Sequence, residues 1–164
     1  MSVDDDVPGD GRDETENERL DRNWNEILQE LRVIQTGTQI LTGFLLAIAF
    51  QQRFEELDGY QIGVYLVLVC MAAGATLLAL TPVSMHRALF RRRAKKHLVE
   101  TANRLMIATL TVVLLTLSGT ALLIFEIVLG HFAGFVAGAV VLVIGVTAWF
   151  LLPGLARIRS RRVD

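Results

Sequence analysis

The chain has 164 residues, 52% of them hydrophobic, and a mean hydropathy of +0.46. That is too apolar for a water-soluble domain of this size and points to a bilayer as the solvent. Lysine and arginine number 16 against 17 acidic residues, so net charge says little; its distribution says more, because the acids crowd the first thirty residues and the bases crowd Arg87 to Lys96 and Arg157 to Arg162.

Residues 1–18 are rich in carboxylates and poor in large apolar side chains, which predicts a disordered acidic tail. No basic stretch followed by a short apolar core stands there, so no cleavable signal peptide is expected. From Arg19 onward, Leu20, Trp24, Ile27, Leu28, Leu31 and Ile34 recur at three- and four-residue spacing. This predicts an amphipathic helix leading into the membrane, with Trp24 at headgroup level and the helix either lying along the surface or packing on the cytoplasmic loop.

Four apolar runs follow, at about residues 33–50, 60–80, 105–129 and 132–152, each near the roughly twenty residues that a hydrocarbon core of about 30 Å requires. Thr81-Pro82 is expected to stop the second, because proline lacks a backbone donor. Gly130-His131 reads as a tight turn, and Pro153-Gly154 as the end of the fourth run. The fold class is therefore all-α: a four-helix transmembrane bundle, residues 19–156, with an amphipathic N-terminal extension and a basic tail, residues 157–164. Lysine and arginine concentrate between spans two and three and after span four, which places both termini in the cytoplasm of a plasma (inner) membrane protein.

Within this frame several polar features stand out. Arg32, Thr36, Gln39 and Gly43 fall on one narrow stripe of a helix advancing about 100° per residue, with Gln35 beside it. Such a stripe should face protein or water, as dry interhelical contact, a polar vestibule or ion path, or headgroup-level solvation. Gly134, Gly138 and Gly145 share a face on which backbones can approach closely, within the bundle or between subunits of a homo-oligomer. Thr109, Thr116 and Thr120 form a row whose hydroxyls can bond their own helix carbonyls.

Glu126 is the one acid within the apolar segments. Near a span's end it reads as solvated or structurally paired, or as a titrating acid coupled to protons. Arg91, Arg92, Arg93, Lys95 and Lys96 suit anionic lipid headgroups, and nothing there calls for nucleic acid. Cys70, the single cysteine, reads as a packing residue and excludes an intrachain disulfide. His86, His97 and His131 fall on opposite sides of the membrane, so no metal site or cofactor is expected. Neither a nucleophile–base set nor a phosphate-binding glycine loop is legible, which argues against an enzyme.

The runs NWNEILQELRVIQTGTQILTGFLLAIAFQQRF, residues 23–54, and PVSMHRALFRRRAKKHLVETANR, residues 82–104, resemble an uncharacterised family of small four-span membrane proteins from actinobacteria. The resemblance covers about residues 23–152. Some members carry an automatic sodium/proton antiporter label, which would imply ion exchange; the family supplies no catalytic residues. Large sodium/proton antiporters place aspartates or lysines at broken helices near the midplane, and small multidrug-resistance transporters carry an acid in their first span. Here that span offers Gln35 and Gln39. The expectation is a structural, accessory or regulatory bundle, with a small ion channel or cation/proton-coupled transporter as the alternative.

Overall fold

The computed structural model describes residues 15–88 and 95–153. Four helices dominate: α1 (Glu16–Ile48), α2 (Gly59–Ala88), α3 (Lys95–Leu129) and α4 (His131–Val146). They pack together, and each is long and apolar enough to cross a membrane, α4 together with the π-helical turn Thr147–Leu151 that extends it. The architecture is all-α, as composition and periodicity imply.

α1 begins earlier than the tail boundary at residue 18 implies. Thr15 caps it: its hydroxyl accepts from the Glu18 N–H at 3.4 Å while the Glu18 carboxylate accepts from the Thr15 N–H at 2.9 Å. Two otherwise orphaned donors of the first turn are thereby satisfied. The rest of the acidic tail, residues 1–14, lies outside the described residues, as do Arg91, Arg92 and Arg93 and the basic tail from residue 157.

The amphipathic segment and the first span form one unbroken helix. The segment packs on α2 and α3. Ile27 and Leu31 pack with Ala79 of α2 and Ala102 and Met106 of α3, flanked by Trp24, Ile34 and Val99. Trp24 stacks on His86 at a centroid distance of 4.9 Å. At the other end Leu45 packs with Tyr65, Leu68 and Ala72 of α2 and Leu123 of α3, and the Tyr65 hydroxyl donates to the Leu45 carbonyl at 2.9 Å. These two clusters fix an up-down-up order for α1, α2 and α3. The end holding Trp24 and His86 is called the basic end below, and the other the far end.

α2 does not stop at Pro82, which is fully buried inside it. The missing N–H leaves the Leu78 carbonyl without its ladder donor, but the ring packs in the interior and the helix runs on to Ala88. The π-helical turn precedes Pro153 at the matching end of α4, where the Leu152 N–H reaches back to the Thr147 carbonyl. Cys70, expected in the core, is exposed on α2.

α3 is the centre of the molecule: α1, α2 and α4 all pack on it. Gly130 makes the connection to α4 in one residue, with φ at 94°, a left-handed conformation that L side chains adopt only with strain. α4 then runs back along α3, and its buried residues are Gly134, Gly138 and Gly145. A Cβ on Gly134 would lie 2.7 Å from the Leu122 carbonyl oxygen and 2.8 Å from the Glu126 Cβ; one on Gly138 would lie 3.1 Å from the Ser118 carbonyl oxygen; one on Gly145 would overlap Leu114. The glycine face thus serves contact inside the bundle, α4 upon α3, and is unavailable to a second subunit.

Gly134→Ala should therefore destabilise the protein by about 1–3 kcal/mol, because backbone rather than a flexible side chain must give way. Gly37, which has nothing within 4 Å of the corresponding position, should instead tolerate alanine with a gain of about 0.5–1 kcal/mol from helix propensity. Reversible unfolding in mixed micelles distinguishes the two; equal effects would contradict the close α3–α4 contact.

Candidate functional site

Two regions bring functional side chains together: a buried carboxylate at the far end and a polar stripe along the outside of α1. The first is built by two helix starts. Asp58 caps α2 through a carboxylate that accepts from the Gln61 N–H at 2.8 Å, while the Gln61 amide oxygen accepts from the Asp58 N–H at 3.2 Å. This reciprocal pair fixes which way the amide points. Its NH₂ group is left facing Glu126, 3.5 Å from Oε1, at the long limit of a hydrogen bond.

Glu126 comes from the last turns of α3, and the Gly130 turn carries His131 back over it. His131 Nδ1 lies 2.9 Å from the same Oε1. The Glu126 side chain is 1% exposed and that of His131 is 69% exposed. Oε2 is buried and has no hydrogen-bond partner among the described residues. The close approach of Gly134 to the Glu126 Cβ shields the carboxylate from the α4 side. The solvated reading of Glu126 is thus replaced by a buried one: a span's end is exposed only where no neighbouring helix covers it, and here α4 does. The Tyr60 ring stands edge-on to His131 at 6.5 Å.

Chemically this is a desolvated carboxylate whose link to water is an exposed imidazole. It can hold an ion pair or exchange a proton with His131. Among the described residues, no group of three or more metal-ligating side chains converges there or elsewhere.

The α1 stripe has a different character. Arg32, Thr36, Gln39 and Gly43 are exposed on the outer side of the helix, and Gln35 is half-buried. The side turned inward carries Thr38, which is 2% exposed and donates to the Gln35 carbonyl at 3.0 Å. The hydroxyls of Thr109, Thr116, Ser118 and Thr120 on α3 donate to the carbonyls of Leu105, Val112, Leu114 and Thr116 of their own helix, at 2.7 to 2.8 Å. Lys95 and Lys96 open α3; nothing further in the structure bears on the headgroup assignment.

Gln61, Thr38 and Tyr65 escape a reading of the sequence alone. For Gln61 a signal exists, the D-x-x-Q spacing of a capping box at Asp58. Nothing comparable marks Thr38 or Tyr65, whose inward direction depends on how α1 is rotated against α2.

Residues 13–153 match the family of unknown function DUF6328. No curated protein and no solved structure matches the chain.

If His131 and Glu126 act as a pair, a double-mutant cycle with His131→Ala and Glu126→Gln should show a coupling of about 1 kcal/mol, kept modest by the exposure of the imidazole. The measurement is unfolding stability of the two single variants and the double variant. Additivity within about 0.3 kcal/mol would mean that the contact contributes nothing.

Proposed function

We propose, for a chain that belongs to the DUF6328 family of unknown function, a role as a structural or accessory subunit of the plasma membrane, in which a four-span bundle supports assembly rather than catalysis or ion passage. The observation that carries this reading is the state of the interior hydroxyls. Thr38, Thr76, Thr109, Thr116 and Ser118 each donate to a carbonyl of their own helix. A hydroxyl committed in this way adds little to a water-lined path and lets helices pack dry.

Both termini belong in the cytoplasm on this reading, because lysine and arginine concentrate at the basic end and after α4. The same cluster, Arg91, Arg92, Arg93, Lys95 and Lys96, meets anionic lipid headgroups, each base near the surface contributing about 1 kcal/mol. One observation favours a second reading, proton-coupled transport: the unpartnered Oε2 of Glu126, a buried acceptor of the kind found on proton relays. Its position at one end rather than midway across the bundle supports the structural reading instead.

Purified protein in liposomes should pass no sodium, potassium or proton current above that of empty vesicles. A flux that disappears in a folded Glu126→Gln variant would replace the structural reading with the second one. For orientation, a reporter fused after Asp164 should be active only in the cytoplasm, and a tag between Glu55 and Gly59 should be reachable from outside; the reverse pattern would overturn the assignment.

A further inference from the structure

The exposed polar side of α1 keeps to one line along the helix. Asn25, Gln29, Arg32, Thr36, Gln39 and Gly43 are all exposed, and they are spaced alternately by four and three residues. Five such steps span 18 residues, the 3.6-residue repeat of a straight helix, so the six residues form one seam along a single line of α1. It crosses from the basic end into the apolar run without interruption. Leu31 and Leu45 belong to the two clusters that bind α1 to the bundle, and Gln39 falls between them, in the middle of the span.

Within that span the position of Gln39 is costly. Its amide makes no hydrogen bond to any described residue, and in hydrocarbon it would find none. The same holds for the amides of Asn25 and Gln29, outside the apolar run. Gly43 leaves open space, with nothing within 4 Å of where a Cβ would stand. The outer side of α4 offers a contrast, since Phe135, Val140, Val143 and Ile144 are exposed there and suit lipid as they are. Among the described residues exposed inside the apolar runs, Gln39 is an amide that no described group serves.

We propose that α1 pairs in parallel with α1 of a second copy of this chain along this seam. A primary amide donates and accepts, so Asn25, Gln29 and Gln39 are each complementary to themselves across a two-fold axis, which two copies inserted in the same direction share. Gly43 lets the backbones come close beside Gln39. Arg32 sits where the apolar run begins, and its stem is long enough to carry the guanidinium to the headgroups instead of into the seam. The pairing does not depend on whether the bundle passes ions.

The test uses the full chain in liposomes with Cys70→Ser as background and single substitutions Thr36→Cys, Gln39→Cys, Gly43→Cys, Gly37→Cys and Phe44→Cys. A disulfide needs Cα atoms within about 4.4–6.8 Å, so the first three should form covalent dimers under mild oxidation and the last two should not. In parallel, Gln39→Leu and Gly43→Leu should each raise the dimer dissociation constant roughly tenfold in single-molecule photobleaching. Gly43→Leu has open space around it and leaves the bundle folded, which separates lost pairing from lost structure. Cross-linking that favours Gly37→Cys or Phe44→Cys, single copies at every protein-to-lipid ratio, single copies held by a different membrane protein, or no response to either leucine substitution would overturn the proposal.

Discussion

A polar group that faces hydrocarbon has no water with which to hydrogen bond, and the hydrophobic effect does not push one helix against another there. The bundle depends on how it meets those two conditions. Where helices touch, backbones approach until a methyl group would not fit without a shift at Gly134 and would be tight at Gly138. Where a threonine or serine hydroxyl turns inward, the carbonyl of its own preceding turn receives it. The hydroxyl bonds need no partner helix at a defined register, whereas the glycine contacts fix α4 on α3, the common support of its three neighbours.

Two places fall outside this economy. Glu126 is buried at the far end with one oxygen served by His131 and Gln61 and the other by no described residue. The arrangement exists because three local features coincide: the Asp58 cap orients the Gln61 amide, the positive φ of Gly130 reverses the chain in one residue, and Gly134 allows α4 to cover the carboxylate. The second place is the outer side of α1, where amides project from a helix that otherwise reads as a membrane span. The first holds its polar atoms inside one chain; the second has none of its exposed amides served by a described residue.

Much of the architecture is legible from residue types alone. The four spans follow from long apolar runs, the turn at Gly130-His131 from a glycine beside the last apolar residue of α3, and the hydroxyl bonding of Thr109 and Thr116 from the helical position of threonine. Pro82 misleads, because a proline's local preference for ending a helix is overridden when its ring is packed on neighbouring helices. Glu126 misleads in the opposite sense: its nearness to a span's end implies water, yet its exposure is decided by α4, whose approach depends on glycines that follow it in the chain. The α1 stripe is visible from helical geometry as a set of residues sharing a face. Which way that face points depends on the packing of Ile27, Leu31 and Leu45, and periodicity cannot supply it, since α1 carries apolar residues on more than one side.

The account turns on whether the α1 stripe is covered by protein within the membrane. The direct measurement is the collision rate of dissolved oxygen with nitroxide labels placed singly along residues 33–47 of the Cys70→Ser protein in liposomes, since oxygen concentrates in lipid and is excluded from protein contacts. The account predicts accessibility minima at positions 36, 39 and 43 and maxima at 37 and 44. Maxima at 36, 39 and 43 would mean that the amides face lipid, and would contradict it.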